Sequence, residues 1–507
     1  AQLARLTFAG SQKRKSNDHQ QQIKALEAQK EKLEERVSTR STEFKVQAQP
    51  VTLAAVQASI PSDAALIEFA IYRPYNLNEI ATSKSFGSPR YVAYVLRKQG
   101  EVQWAELDEA KSIDAAVERL RRALRDKHRK DVKQLARTVD EKVMRPVRAL
   151  LGQTRRVFIS PDGSLNLIPF AALVDEHNRY LVQRYEFSYL TSGRDLLRLQ
   201  VKQPNKQTAL VVANPDFGPD ISEDAQAGAA RQRGLVYHAG AKKATTDEGA
   251  VLSGYYFPPL QGTAGEARAL ETILKDATVL TQAQATEAAL KQVSSPRILH
   301  IATHGFFLEN SKPIQAADRG LRPVSLDEPQ VTGPIENPLL RSGLALAGAN
   351  RQKSGDGDDG ILTAQEAAGL DLWGTKLVVL SACDTGVGEV KNGEGVYGLR
   401  RALVLAGSET QVMSLWPVSD KGTRDLMIEY YRRLLRGEGR SAALRAVQLR
   451  MLASQGRSVT RTQRTLVHTG VPGAANETRA AKGNYSHPYY WASFIQSGEW
   501  RTLDDQK

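Results

Sequence analysis

The sequence predicts an α/β fold, a mostly parallel sheet flanked by helices, preceded by a smaller α/β subdomain and an N-terminal helical segment. Three observations carry this. From 207 onward, apolar runs such as 298-ILHIAT-303 and 377-LVVLSA-382 alternate with amphipathic stretches such as 421-KGTRDLMIEYYRRLLRG-437. Strands that are apolar throughout belong to parallel sheets covered on both faces. Residues 12–40, by contrast, are polar and helix-favouring, and the 507-residue length suggests about three units. The expected divisions are 1–50, 51–206 and 207–507.

Taken in order, 12–40 shows a short heptad-like seam (Ile23, Leu26, Leu33, Val37) interrupted by Lys30, which suits the tail of a truncated helical-repeat region. Strands are expected at 65–75 and 91–100. Between 117 and 151 the apolar residues Val117, Leu120, Leu124, Val132, Leu135, Val139 and Val143 keep helical spacing within a densely basic segment. That pattern predicts one or two amphipathic helices with solvated basic faces. A strand at 156–160 runs into a Pro-Asp-Gly turn. After the strand that starts near 207, a Gly/Ala-rich loop covers 218–250. A helix follows at 261–274, where Thr263 and Glu266 are spaced as a capping box. Strands at 278–282, 298–303, 376–382 and 410–416 alternate with helices at 286–293, 363–370, 394–407, 421–437 and 441–452. Residues 308–360 have no sustained period and are expected to be a loop or insertion. The aromatic segment 487-HPYYWASFIQSG-498 suits a final strand.

Composition excludes several classes. The chain is 41% hydrophobic and 25% charged, and no apolar run approaches the ~20 residues needed to span a bilayer. A single cysteine cannot form an intramolecular disulfide, which fits a reducing, cytoplasmic setting. The formal charge of +13 raises nucleic acid as a partner, yet the basic segment lacks the interleaved aromatics that stack single-stranded bases. No phosphate-loop, GxSxG, HExxH or CxxC motif occurs, so neither a cofactor nor a metal is expected.

Two apolar strands end in reactive side chains followed closely by glycine: His304 with Gly305, and Cys383 with Gly386. In open parallel sheets, reactive groups gather outside the carboxyl ends of the strands. If these strands are neighbours, the imidazole can take the thiol proton, and backbone N–H groups of Gly305 and Cys383 can stabilise an oxyanion. His300 shares a face with His304 but lies deeper in the strand, so it reads as a core histidine.

ILHIATHGFF, DGILTAQEAAGLDL, the run from LVVLSACDTG to SLWPVSD, and HPYYWASFIQSG together resemble the CHAT domain. That is a caspase- and separase-related cysteine peptidase domain of the kind attached to tetratricopeptide repeats. The resemblance implies a caspase-like sheet and a protein or peptide substrate bound in extended form. By position it implies His304 and Cys383 as the catalytic pair. Asp384 and Ser419 depart from the residues common among relatives, and the repeats that would sense a regulatory partner are missing. Asp420, with Ser381, is implied as the S1 wall for an Arg or Lys side chain. Asp420 equally suits the start of a helix at Lys421. The basic loops 218–250, 309–360 and 453–484 are candidate self-cleavage sites. The alternatives are a catalytically silent interaction scaffold and a basic nucleic-acid-associated factor.

Overall fold

The computed structural model describes residues 51–75, 86–218, 236–237, 255–307, 338–351, 358–382, 389–391, 395–416, 419–454 and 484–504. The expected helix at 12–40 and most of the three candidate self-cleavage loops lie outside these residues.

The described chain opens with α1 (Leu53–Ser59), whose first turn is capped by the Thr52 hydroxyl accepting from Ala55 N. Next come β1 (Ala64–Tyr72), β2 (Arg90–Leu96) and β3 (Gln103–Glu109). β3 is a mostly exposed strand of charged and polar residues that carries too little apolar signal to be read from sequence. The basic segment folds as three helices, α2 (Ala110–Leu124), α3 (Val132–Val143) and α4 (Arg145–Leu151). Val117, Leu120, Leu124, Val132, Val139 and Val143 are buried as their spacing requires. Acidic neighbours answer many of the outward charges: Glu118 meets Arg121, Glu141 meets Arg137 and Asp108 meets Lys142. Inside this unit the buried Arg148 guanidinium bridges Asp140 and Glu176.

β4 (Arg156–Ser160), β5 (Glu186–Tyr189), α5 (Arg194–Arg198) and β6 (Gln207–Pro215) follow. A two-residue ladder pairs β7 (Val236–Tyr237) with β8 (Tyr255–Tyr256). Then come α6 (Gln261–Ile273), β9 (Thr278–Gln282), α7 (Glu287–Lys291) and β10 (Pro296–Ala302). β11 (His304–Phe307), β12 (Ser342–Ala345) and β13 (Ile361–Thr363) form a separate antiparallel sheet. The 308–360 segment, expected to be loop, therefore contains a buried strand. Its apolar alternation, Leu344 and Leu346 among Gly and Ala, is too short to register in a window of helical or strand length. After α8 (Ala364–Ala367), capped reciprocally by Thr363 and Glu366, comes β14 (Leu377–Leu380). The hairpin of β15 (Glu389–Lys391) and β16 (Gly395–Tyr397) leads to α9 (Leu399–Leu405) and β17 (Thr410–Ser414). The chain closes with α10 (Asp420–Leu434), α11 (Arg440–Leu452), α12 (Pro488–Trp491) and β18 (Phe494–Gly498).

Eleven strands make one sheet in the order β3-β2-β1-β4-β5-β18-β17-β14-β10-β6-β9. Seven neighbouring pairs are parallel; β1–β2, β2–β3 and β17–β18 are antiparallel. The sheet runs unbroken across position 206/207, with β18 as the seam. Because β18 reverses direction, the amino ends of β4 and β5 share an edge of the sheet with the carboxyl ends of β17, β14 and β10. Ser414 opposite Phe494 on one side of the seam, and Ser497 opposite Tyr189 on the other, fix that alignment. The main core packs α6, α10 and α11 on one face, where Leu426, Tyr430, Tyr431 and Val447 are buried. A second core packs α8 and α9 on the other. Both faces are covered, which is why the central strands are apolar throughout.

Candidate active site

β10 lies between β6 and β14, parallel to both, with Ile301 opposite Leu380. Ser381 N donates to Ile301 O at 2.8 Å, so the last residues of the two strands stay level. The strand that carries His304 at its exit and the strand that leads to Cys383 are therefore adjacent. Cys383, Asp384 and Gly386 are outside the described residues.

His304 starts β11 and is 2% exposed. Its ring sits against two phenyl rings, Phe217 from the segment after β6 and Phe257 from the segment before α6, at centroid distances of 5.2 and 5.9 Å. Nε2 lies 2.8 Å from Pro258 O. A carbonyl only accepts, so Nε2 carries the hydrogen and donates it, which leaves Nδ1 as the basic nitrogen. Burial in this aromatic slot pushes the imidazole below the ordinary histidine pKa, against the opposing pulls of the Pro258 carbonyl and the Asp420 carboxylate. Gly305 follows in β11 opposite Leu344.

The exit of β14 is pinned from two sides. Ser381 Oγ donates to Glu266 Oε2 at 3.1 Å, and Ser414 Oγ, at the end of β17, donates to Ala382 O. Glu266 does not close a capping box. α6 begins at Gln261 with no side-chain cap, and Thr263, already inside the helix, donates its hydroxyl to Leu260 O. This corrects the expectation for Glu266: its side chain turns inward and is 3% exposed. An inward carboxylate needs partners, because one buried without them costs several kcal/mol. Its Oε1 lies 3.1 Å from His300 Nε2, an ion-pair distance without hydrogen-bond alignment, and His300 Nδ1 is 3.0 Å from Tyr431 Oη. His300 is fully buried, as its place within the strand implied. Burial, Tyr430 and Glu266 together hold the Tyr431 hydroxyl well above its ordinary pKa, so it remains a neutral phenol.

Asp420 is the first residue of α10, after Ser419, whose side chain makes no cap. An acid suits this position, at the positive end of the helix dipole. Its field acts on His304, and Gly262 in the first turn of α6 provides the room, since a Cβ there would stand 2.1 Å from Asp420 Cβ. Gly262 and Glu266 are four residues apart on α6, one turn, so the two carboxylates approach from the same side of that helix.

Several of these groups gave no signal in the sequence. Phe217, Phe257 and Pro258 act from segments remote in the chain, and a main-chain carbonyl leaves no motif. Among the described residues, no group of three or more His, Cys, Asp or Glu side chains is placed to hold a metal ion. None of their helices is long and apolar enough to cross a membrane.

The sequence model of the CHAT domain family matches residues 133–499. Human tetratricopeptide repeat protein 28 is 24% identical over 349 residues, which span 69% of this chain and 12% of that protein. Among solved structures, the Saccharomyces cerevisiae separase–securin complex is similar at 8% identity and a TM-score of 0.44, over 88% of this chain and 30% of that one. The Arg-specific cysteine proteinase gingipain R is similar at 8% identity and a TM-score of 0.32, over 78% of this chain and 74% of that one.

Proposed function

This chain belongs to the CHAT domain family, and on that premise we propose that it is a cysteine endopeptidase acting on proteins through His304 and Cys383. One observation carries the proposal: the His304 strand and the strand leading to Cys383 are adjacent and level at their carboxyl ends, with the imidazole held as the Nε2–H tautomer.

In the proposed reaction, His304 Nδ1 takes the Cys383 thiol proton and the thiolate attacks the substrate carbonyl. The resulting oxyanion is held by the N–H groups of Gly305 and Cys383, and each such donor contributes roughly 3–4 kcal/mol to the transition state. The imidazolium then returns its proton to the leaving amine, forming an acyl-enzyme. Water activated by the same nitrogen releases the acid. Pro258 O keeps the ring from turning as the charge forms. β11 is an outer strand of its three-stranded sheet, which supports a substrate lying extended along it.

Asp420 and Ser381 are proposed as the S1 wall for Arg or Lys at P1. The support for Asp420 is that its carboxylate acts on His304; the Ser381 hydroxyl donates inward to the buried Glu266 carboxylate. The curated relative is a tetratricopeptide repeat protein, which favours a repeat region as the module that brings regulatory partners.

The experiment is incubation with a denatured proteome and sequencing of the new termini. Wild type is expected to generate termini enriched after Arg or Lys. Cys383→Ala and His304→Ala should each abolish them, with the double variant no worse than either single. Termini that persist in Cys383→Ala would refute the assignment. Asp420→Asn is expected to raise KM for basic P1 substrates by about tenfold; an unchanged P1 profile would leave Asp420 as a helix-start residue only.

A further inference from the structure

Asn350 lies in the turn 349–351 that follows β12, is 6% exposed, and spends its whole amide on the segments that flank His304. Its Oδ1 accepts from Phe257 N at 2.9 Å, and its Nδ2 donates to Phe257 O at 3.1 Å and Gly218 O at 3.0 Å. Its own backbone N donates to Phe217 O at 2.9 Å. The amide orientation is unambiguous, because the flipped form would set an oxygen against two carbonyls and an NH2 against an N–H.

The consequence reaches His304 through Pro258. Both main-chain groups of Phe257 are tied to Asn350. The next residue is a proline, whose ring locks φ and restricts the residue before it. Pro259 follows and restricts the ψ of Pro258 in the same way, so little freedom is left in the direction of the Pro258 carbonyl, which receives the His304 Nε2–H. The same amide holds the Phe217–Gly218 segment, so both phenyl rings against the imidazole depend on it.

We propose that Asn350 is a positioning residue for His304: by fixing Phe257–Pro258 and Phe217–Gly218 it holds the imidazole as the Nε2–H tautomer, with Nδ1 as the basic nitrogen. The role in cleavage rests on the peptidase reading above; the hold on the tautomer does not.

The test uses the full chain carrying 13C,15N-labelled histidine, at about pH 8 so that the ring is neutral. The His304 signals are identified by their loss in His304→Gln. Wild type is expected to show the Nε2–H tautomer alone. Asn350→Ala, and Asn350→Asp, which keeps the shape and the acceptor but loses both donations, should show a mixture while folded by circular dichroism. Their kcat should fall about tenfold or more, the scale for losing a partner that orients an imidazole, with KM within about twofold. Either variant, folded and still showing the Nε2–H form alone, overturns the proposal whatever its kcat, as does a wild type that is already mixed. Should wild type cleave no peptide, the peptidase reading fails and the tautomer comparison still decides this one.

Discussion

At the scale of single residues, the decisive fact is that His304 is dry and anchored. Its lowered pKa means that the ring stays neutral, and competent as a base, to a pH below the ordinary value of 6.5. Titrated by NMR in Cys383→Ala, His304 is expected to change charge below that value. Asp420→Asn should move the change lower still, because the carboxylate favours the imidazolium. A titration at or above 6.5 would contradict the burial argument. The sign carries over to stability: the unfolded ring binds a proton near 6.5 and the folded ring only below it. This group's contribution is therefore lost as pH falls through that window and restored as pH rises. His304 and Cys383 were legible as candidates because each ends an apolar strand, whereas Glu266 was misread. Its spacing from Thr263 satisfies the capping-box pattern as well as it satisfies an inward turn, and the pattern carries no information about what lies beneath the helix.

At the scale of elements, the carboxyl edge of the sheet is held by buried polar contacts that join helix to strand. Ser381, Glu266, His300 and Tyr431 connect β14 to α6, β10 and α10. Glu266→Leu keeps the volume roughly but strands His300 and the Ser381 hydroxyl in an apolar interior. A loss of about 2–4 kcal/mol is expected in urea unfolding, and stability equal to wild type would show that the chain of contacts is dispensable. On the opposite face, Lys291 of α7 serves three carboxylates, Glu287, Asp358 and Glu366. Burial raises Glu287 to about 7 even beside that ammonium. Lys291→Met would leave the three acids facing one another, and a loss of about 2 kcal/mol or more is expected, discounted because Lys291 is 27% exposed. The loss should shrink as pH falls from 7 towards 5 and the carboxylates take up protons; a pH-independent loss would mean that only packing was removed.

At the scale of the whole molecule, β18 joins the two groups of strands into one sheet, and one glycine lets it lie there. Gly498 has φ +92, and a Cβ would stand 2.2 Å from Glu409 O. Gly498→Ala therefore incurs both backbone strain and a clash with main chain that cannot swing aside. A loss of about 2–4 kcal/mol is expected in thermal or urea unfolding, and an unchanged midpoint would show that the seam relaxes freely.

The sequence by itself determined the fold class, the order of most elements, and the two strands at whose ends the chemistry is proposed. Those properties follow from local periodicity and from strands apolar on both faces, and both are written in contiguous residues. Only the tertiary structure decided which strands are neighbours, that β3 and β12 exist, that Glu266 turns inward, and which nitrogen of His304 is basic. Each of these depends on groups brought together from distant parts of the chain, several of them main-chain carbonyls that every residue possesses, so no spacing in the sequence could have announced them.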